Sequence, residues 1–314
     1  MYISSMTLQE TDEFIRYSRS GDKKKIGLGK IMNTEISSAV ARHEIVAAAP
    51  TKGPQVAIGD VLEALYKYRL ALIFGWQDVA QRYRRSRVGA FWLTLNMAVF
   101  IGALGLIFGT LFKSDMSDFL PHLCAGIIMW GLISTSLSDG CTAFSSSEGI
   151  ILQVRMPLFT HIMRALWRNI IIFLHNIVIF PVLLLIIGRS LNYYAIIAIP
   201  GLLLVILNLA WMMLVLAILC ARFRDMTQVV ANILQIMLYA TPIMWMVKTL
   251  PEHVPHALIY WNPFYHFIEL VRAPLFGHAP TSMSWYVVSG FAVFGWCAAI
   301  AFFGKYRSRI AYWL

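Results

Sequence analysis

From Val88 onward long apolar runs alternate with short polar gaps, and six of the runs are long enough to cross a bilayer. A spanning helix needs about 20 mostly apolar residues. The pattern predicts spans at about 88–112, 119–139, 165–188, 193–220, 227–247 and 284–304. The expected fold class is therefore an all-α integral membrane protein with six transmembrane helices.

The segment 58–83 has a different rhythm. Ile58, Val61, Leu62, Leu65, Tyr68, Leu72, Trp76, Val79, Ala80 and Tyr83 recur at helical spacing and predict one continuous apolar face. Asp60, Glu63, Lys67, Asp78 and Gln81 fall on the other face, with Glu63 and Lys67 forming a favourable i,i+4 pair. The segment is too polar to span, so it is expected to be an amphipathic helix lying along the membrane interface. Three regions follow: a weakly ordered N-terminal extension at 1–55, an interface helix at 56–87 and a transmembrane domain at 88–314. The extension is basic at 18–25 and closes on Pro50, Gly53 and Pro54, which suits a tail and linker. Such a tail is able to touch anionic headgroups.

Composition agrees with a membrane protein, since 59% of the residues are hydrophobic and only 13% are charged. Charge adds an orientation. The residues up to Arg87 hold 14 basic side chains, and further ones follow at Arg155, Arg164 and Arg168, at Arg222 and Arg224, and at Lys305, Arg307 and Arg309. The alternate gaps hold only Lys113, Arg189, Lys248 and Arg272. Basic residues are retained on the cytoplasmic face, which predicts cytoplasmic N- and C-termini. The net charge of +10 is then a topology signal. A nucleic-acid partner is not expected, because the basic residues are divided among membrane-flanking gaps. Cys124, Cys141, Cys220 and Cys297 show no pairing rhythm and read as packing residues. No signal-peptide pattern is visible, so the first span is expected to direct insertion.

Two gaps exceed what a turn needs. The gap from Gly140 to Arg168 begins with Ser145, Ser146, Ser147 and Glu148, which resembles a helix N-terminus, and Pro157 should interrupt whatever follows. It reads either as a plain loop or as a short helix by which a soluble partner moves the spans. The far gap, 248–283, is rich in aromatic residues and proline. It is too broken to span and too apolar for water, so re-entrant or interfacial short helices are expected. Its rings are either interface anchors or a surface for stacking sugar faces.

No metal site is expected. His266 and Glu269 are spaced i,i+3 near His253 and His256, but Glu269 has a nearer partner in Arg272. The spans hold hardly any ionisable residue, which argues against a proton- or sodium-coupled carrier. No phosphate-binding loop is present, so if ATP drives this chain a separate subunit must bind it.

Several stretches in order resemble one family. They are Arg82-Tyr83-Arg84-Arg85-Ser86-Arg87-Val88-Gly89-Ala90-Phe91-Trp92, Arg224-Asp225, Thr241-Pro242-Ile243, Asn262-Pro263-Phe264 with Glu269 and Arg272, and the ending Arg309-Ile310-Ala311-Tyr312-Trp313-Leu314. From about Ile58 to Leu314 the chain resembles ABC-2 type permeases, and more narrowly those that export O-antigen, capsule and related polysaccharides across the bacterial inner membrane. The resemblance implies a homodimer of six-span subunits joined to two copies of a separate ATPase, which binds the ATP and magnesium. This chain would then carry no cofactor and no catalytic residue. The 58–83 segment would be the interface helix. Ser147, Glu148, Gly149, Arg155 and Pro157 would belong to the coupling segment seated on the ATPase. Phe91, Trp92, Trp130, Tyr239, Trp245, Trp261 and Tyr265 become candidates for a path taken by a lipid-linked polysaccharide, and Glu269 with Arg272 a structural ion pair. The competing readings are an ABC-2 exporter of a drug, glycolipid or teichoic-acid-like polymer, and a membrane enzyme acting on lipid-linked sugars. A passive channel lacks any filter-like sequence.

Overall fold

The computed structural model describes residues 53–84, 89, 91–111, 115–190, 192–247 and 257–314, and their regular structure is helical throughout. Nearly all of the N-terminal extension lies outside the described residues, as do Arg85, Arg87, Lys113, Lys248, His253 and His256.

Helices α1 (Pro54–Tyr66) and α2 (Tyr68–Tyr83) form the interface segment. The spans follow as α3 (Phe91–Leu111) and α4 (Met116–Thr142). A 3-10 turn at Ser145–Ser147 leads into the short α5 (Glu148–Gln153). The third span is α6 (Phe159–Ile177) continued by α7 (Ile179–Ile187), and the fourth is α8 (Ala198–Arg222). Next come α9 (Met226–Ala240), the short α10 (Ala257–Tyr260) and α11 (Pro263–Leu275), and finally α12 (Ser282–Trp313).

Five of the six expected spans are long and apolar enough to cross a membrane. The remaining one, α9, has 15 residues and stops at Ala240 rather than near Val247. The cause is local. Thr241 precedes Pro242, whose ring disfavours helical backbone before it, and Thr241 is extended with ψ 138°. The third span starts at Phe159 rather than near Ala165 and breaks at Val178. Pro181 supplies no N–H, and its ring crowds the carbonyl four residues earlier, at Ile177. Asp115 starts α4 by accepting the Ser117 N–H at 2.9 Å. That bond holds the Asp115 carboxyl below its ordinary pKa. The last span runs on past Gly304 to Trp313. At 1.5 Å per residue its 32 residues outrun a hydrocarbon core of roughly 30 Å, so its basic final turns stand beyond the membrane.

Helix α4 is the hub, packed against α3, α6, α7, α8, α9 and α11. The small-residue spacing of α3 meets it directly, for Gly105 lies against Leu120 and Gly109 against Met116. The most extensive helix–helix contact is that of α8 with α12.

The interface segment differs from its expected form in two respects. It is two helices, parted at Lys67, although the Glu63–Lys67 pair does form at 2.6 Å. Its inward face is made of Ala57, Asp60, Val61, Ala64, Ala71 and Val79, while Ile58, Leu62, Leu65, Tyr68 and Trp76 point outward. In a bilayer large apolar side chains need no protein cover, and close helix packing selects small ones. Gly75 shows this, since a methyl group there would come within 2.9 Å of the Arg164 carbonyl oxygen. Asp60 and Asp78, expected on the outward polar face, instead turn toward the spans.

Candidate functional site

The basic end of the molecule collects the residues expected to meet a partner. Ser145 to Gln153 forms the 3-10 turn and α5, and Val154 to Met156 are non-helical before the buried Pro157. Ser147 is buried under this turn, whereas Glu148, Gly149 and Arg155 are exposed. Every residue of α5 keeps some exposure, although Ile151 packs against the core and the helix touches α12. Beside it opens a cavity of about 330 Å³, lined among others by Ser145, Glu148, Arg224, Thr227, Trp313 and Leu314.

The same end holds charges, half-buried apart from the fully buried Asp60, that sequence reasoning had treated only as topology markers or as an outward face. Asp78 takes a bidentate contact from Arg164, with Nε at 2.8 Å and Nη2 at 2.6 Å, and a further one from Arg168 at 3.1 Å. Arg168 reaches on to Asp139 at 2.8 Å, where Asn169 also donates at 2.9 Å. The chain Arg164–Asp78–Arg168–Asp139 thus fastens α2 to α6 and α4. Asp60 accepts the backbone N–H groups of Leu158 and Phe159 and the guanidinium of Arg307. A signal for both acids was present in the spacing. Asp60 sits at the helical phase of Ala57 and Ala64, and Asp78 lies beside Gly75 and Val79, so each interrupts a stripe of small residues.

At the opposite end the aromatic gap folds into α10 and α11. Asn262 caps α11 by accepting the Phe264 N–H at 2.9 Å, and Pro263 occupies the first helical position, where no N–H is needed. The Asn262 amide also donates to Thr241 Oγ1 at 2.8 Å. Arg272 is buried, with Nη1 donating to the Pro242 carbonyl at 2.7 Å and Nη2 reaching Glu269 at 3.2 Å. The same Nη1 is 3.2 Å from His122 Nε2 on α4. His266 is engaged through both ring nitrogens, by Ser284 Oγ and the Tyr260 carbonyl, each at 2.9 Å. It is a joint between α11 and α12 rather than an open ligand. Among the described residues no group of three His, Cys, Asp or Glu side chains is arranged to hold a metal.

The seven rings considered for a path separate by burial. Phe91, Trp92, Tyr239 and Trp261 are exposed, the last at 87%. Trp245 is half-buried, with its indole N–H donated to the Tyr239 carbonyl at 3.1 Å. Trp130 and Tyr265 are inside the protomer. Trp130 lies edge-on to Phe264 with centroids 5.6 Å apart, and Tyr265 packs likewise on Tyr260 at 5.9 Å. Both rings are buried within the chain.

Residues 69–276 match the family described as ABC-2 type transporter. The chain is 25% identical over 225 residues to the O-antigen export system permease protein RfbA of Myxococcus xanthus, an alignment covering 69% of this chain and 85% of that protein. It is 22% identical over 200 residues to the protein of the same name from Klebsiella pneumoniae, covering 63% of this chain and 76% of that one.

Proposed function

The chain belongs to the ABC-2 type transporter family, and on that premise we propose that it is the permease subunit of an ATP-driven exporter moving a lipid-linked polysaccharide, such as O-antigen or capsule, across the bacterial inner membrane. Two permeases form the path, and two copies of a separate ATPase bind ATP and magnesium at the cytoplasmic face. Both termini of the permease lie on that face, together with the basic end of the helices.

The observation that carries the cargo reading is the alignment with O-antigen export permeases over most of their length. The exposed α5, with Glu148, Gly149 and Arg155 at the basic end, supports a coupling role. Helix α3 exposes Phe91, Trp92, Val99, Phe100, Leu106 and Ile107, more apolar surface than its packing on α4 and α6 explains. That exposure suits a second subunit and lipid.

A sugar polymer is too hydrophilic to cross hydrocarbon unaided, so the dimer supplies a lined corridor. Aromatic surfaces tolerate sliding, because stacking on a saccharide face has no fixed register. Closure of the ATPases pushes α5 and the interface helices, and the half-buried ion pairs pass the displacement into α4, α6 and α12. Co-purification with the cognate ATPase in lipid nanodiscs, with turnover measured with and without lipid-linked polysaccharide, tests this reading. Cargo-sensitive hydrolysis is expected. A chain that binds no ATPase and processes glycolipid without nucleotide is instead a membrane enzyme.

A further inference from the structure

We propose that Asp60 is a positioning residue, the joint through which the coupling segment, the first interface helix and the last span move as one body. The proposal rests on the exporter reading above. The Asp60 side chain is only 1% exposed, yet it receives four donors from two other elements. Leu158 N and Phe159 N approach at 3.2 and 3.0 Å, and Arg307 brings Nε to 2.8 Å and Nη2 to 2.7 Å.

Each contact answers a local need. The first N–H groups of a helix have no partner within it, and α6 has no side-chain cap of its own. Asp60 supplies that cap from another helix and places negative charge at the positive end of α6. The charge is balanced by Arg307 of α12. Beside this pair α1 touches α12 again. The Gly53 N–H donates to the Gly304 carbonyl at 3.1 Å, and a methyl group on Gly304 would come within 2.5 Å of the Gly53 oxygen. Gly53 itself has φ 126°, a conformation open to glycine.

The junction of the coupling segment with α6 is therefore fixed to α1, which is in turn fixed to α12. By contrast α5 has no buried residue. A push on α5 reaches α12 where the two touch, and it reaches the start of α6 at Leu158 and Phe159, where Asp60 delivers it to the interface helix and the last span together.

The test uses the full chain with its ATPase in nanodiscs, comparing Asp60→Asn, Asp60→Ala, Arg307→Ala and Arg307→Lys. The first readout is amide hydrogen exchange at residues 158–159, which needs no transport. Asp60→Ala is expected to speed it by about tenfold, while Arg307→Ala, which keeps the cap, changes it much less. The second readout sets hydrolysis against export. Asp60→Asn is expected to retain ATPase binding and basal hydrolysis within about twofold and to lose about tenfold in export, with Arg307→Lys near the native level. Unchanged exchange, or native export by Asp60→Ala, overturns the joint. So does a parallel loss of assembly, hydrolysis and export in Asp60→Asn, which would mark a purely structural residue. If the native complex neither hydrolyses ATP nor exports, the exporter reading fails, and the exchange comparison still decides whether Asp60 of α1 holds the start of α6.

Discussion

Arg272 on α11 donates from Nη1 to the carbonyl oxygen of Pro242 at 2.7 Å, tying the short helix of the outer gap to the turn that ends α9. The Pro242 oxygen needs this partner because the chain leaves helical geometry at Thr241. Glu269 and His122 surround the same guanidinium, so one buried cation fastens α11, α4 and the end of α9. Arg272→Ala is expected to cost about 2 to 4 kcal/mol, because it leaves a buried carbonyl and Glu269 without their partner. Thermal unfolding in detergent checks it, and an Arg272→Ala protein as stable as the native one removes this role.

Asp78 fastens the opposite end, and the geometry separates charge from shape there. Asp78→Asn keeps the size and one acceptor but loses the bidentate pairing with Arg164. We expect a loss of about 1 to 3 kcal/mol and faster backbone exchange across Tyr68–Tyr83, with the spans themselves unaffected. Exchange spread evenly over α4 and α6 would instead mean that Asp78 supports the whole bundle.

Close backbone approach yields a sharper steric prediction. A methyl group on Gly201 of α8 would stand 2.6 Å from the Leu270 carbonyl oxygen of α11. Gly201→Val must therefore push α11 away from α8 and strain the Arg272 and Asn262 contacts. The expected penalty is about 1 to 3 kcal/mol. Gly102→Val is the control, since nothing lies within 4 Å of a methyl group at Gly102. Equal stability of the two variants contradicts the close approach.

The coupling segment predicts a kinetic phenotype. Glu148→Ala removes an exposed charge at the start of α5, and replacement of the buried Pro157 loosens the turn before α6. Both are expected to lower polymer export and cargo-stimulated ATP hydrolysis together, several-fold, while insertion into the membrane stays normal. Native export by both variants would take the coupling role away from this segment.

Five spans were legible because hydrocarbon thickness fixes a minimum apolar length; the run at 227–247 has that length but is cut short at Thr241-Pro242. The short helices of the outer gap were legible from its prolines and aromatic residues, which make it too broken to span and too apolar for water, whereas the start at Asn262-Pro263 was not read from the sequence. The inward face of the interface segment was not. Periodicity locates a stripe of large apolar residues, but beside lipid that stripe has no obligation to face protein, and Ile58, Leu62 and Trp76 do not. Asp60 and Asp78 were misplaced for the same reason: an acid reads as outward until a partner is known, and Arg307 and Arg164 are 247 and 86 residues away. Among the path candidates, composition does not distinguish a ring that seals the core from one that is exposed.

That last distinction makes a prediction in which stability and transport separate. Trp130 is 7% exposed and packs edge-on against Phe264, so Trp130→Ala opens a cavity in the hub helix and is expected to cost about 3 to 5 kcal/mol. Trp261 and Tyr239 are exposed at 87% and 60%, and neither ring fills the core. Alanine at either position should leave unfolding within about 0.5 kcal/mol of native. If these rings meet the polymer, export falls while stability holds, and Trp261→Phe, which keeps a stacking face, recovers most of the rate. If they meet only lipid, both alanine variants export normally. Thermal unfolding measured beside export in the same preparations tells the two roles apart, because a core ring lowers both quantities and a path ring only the second.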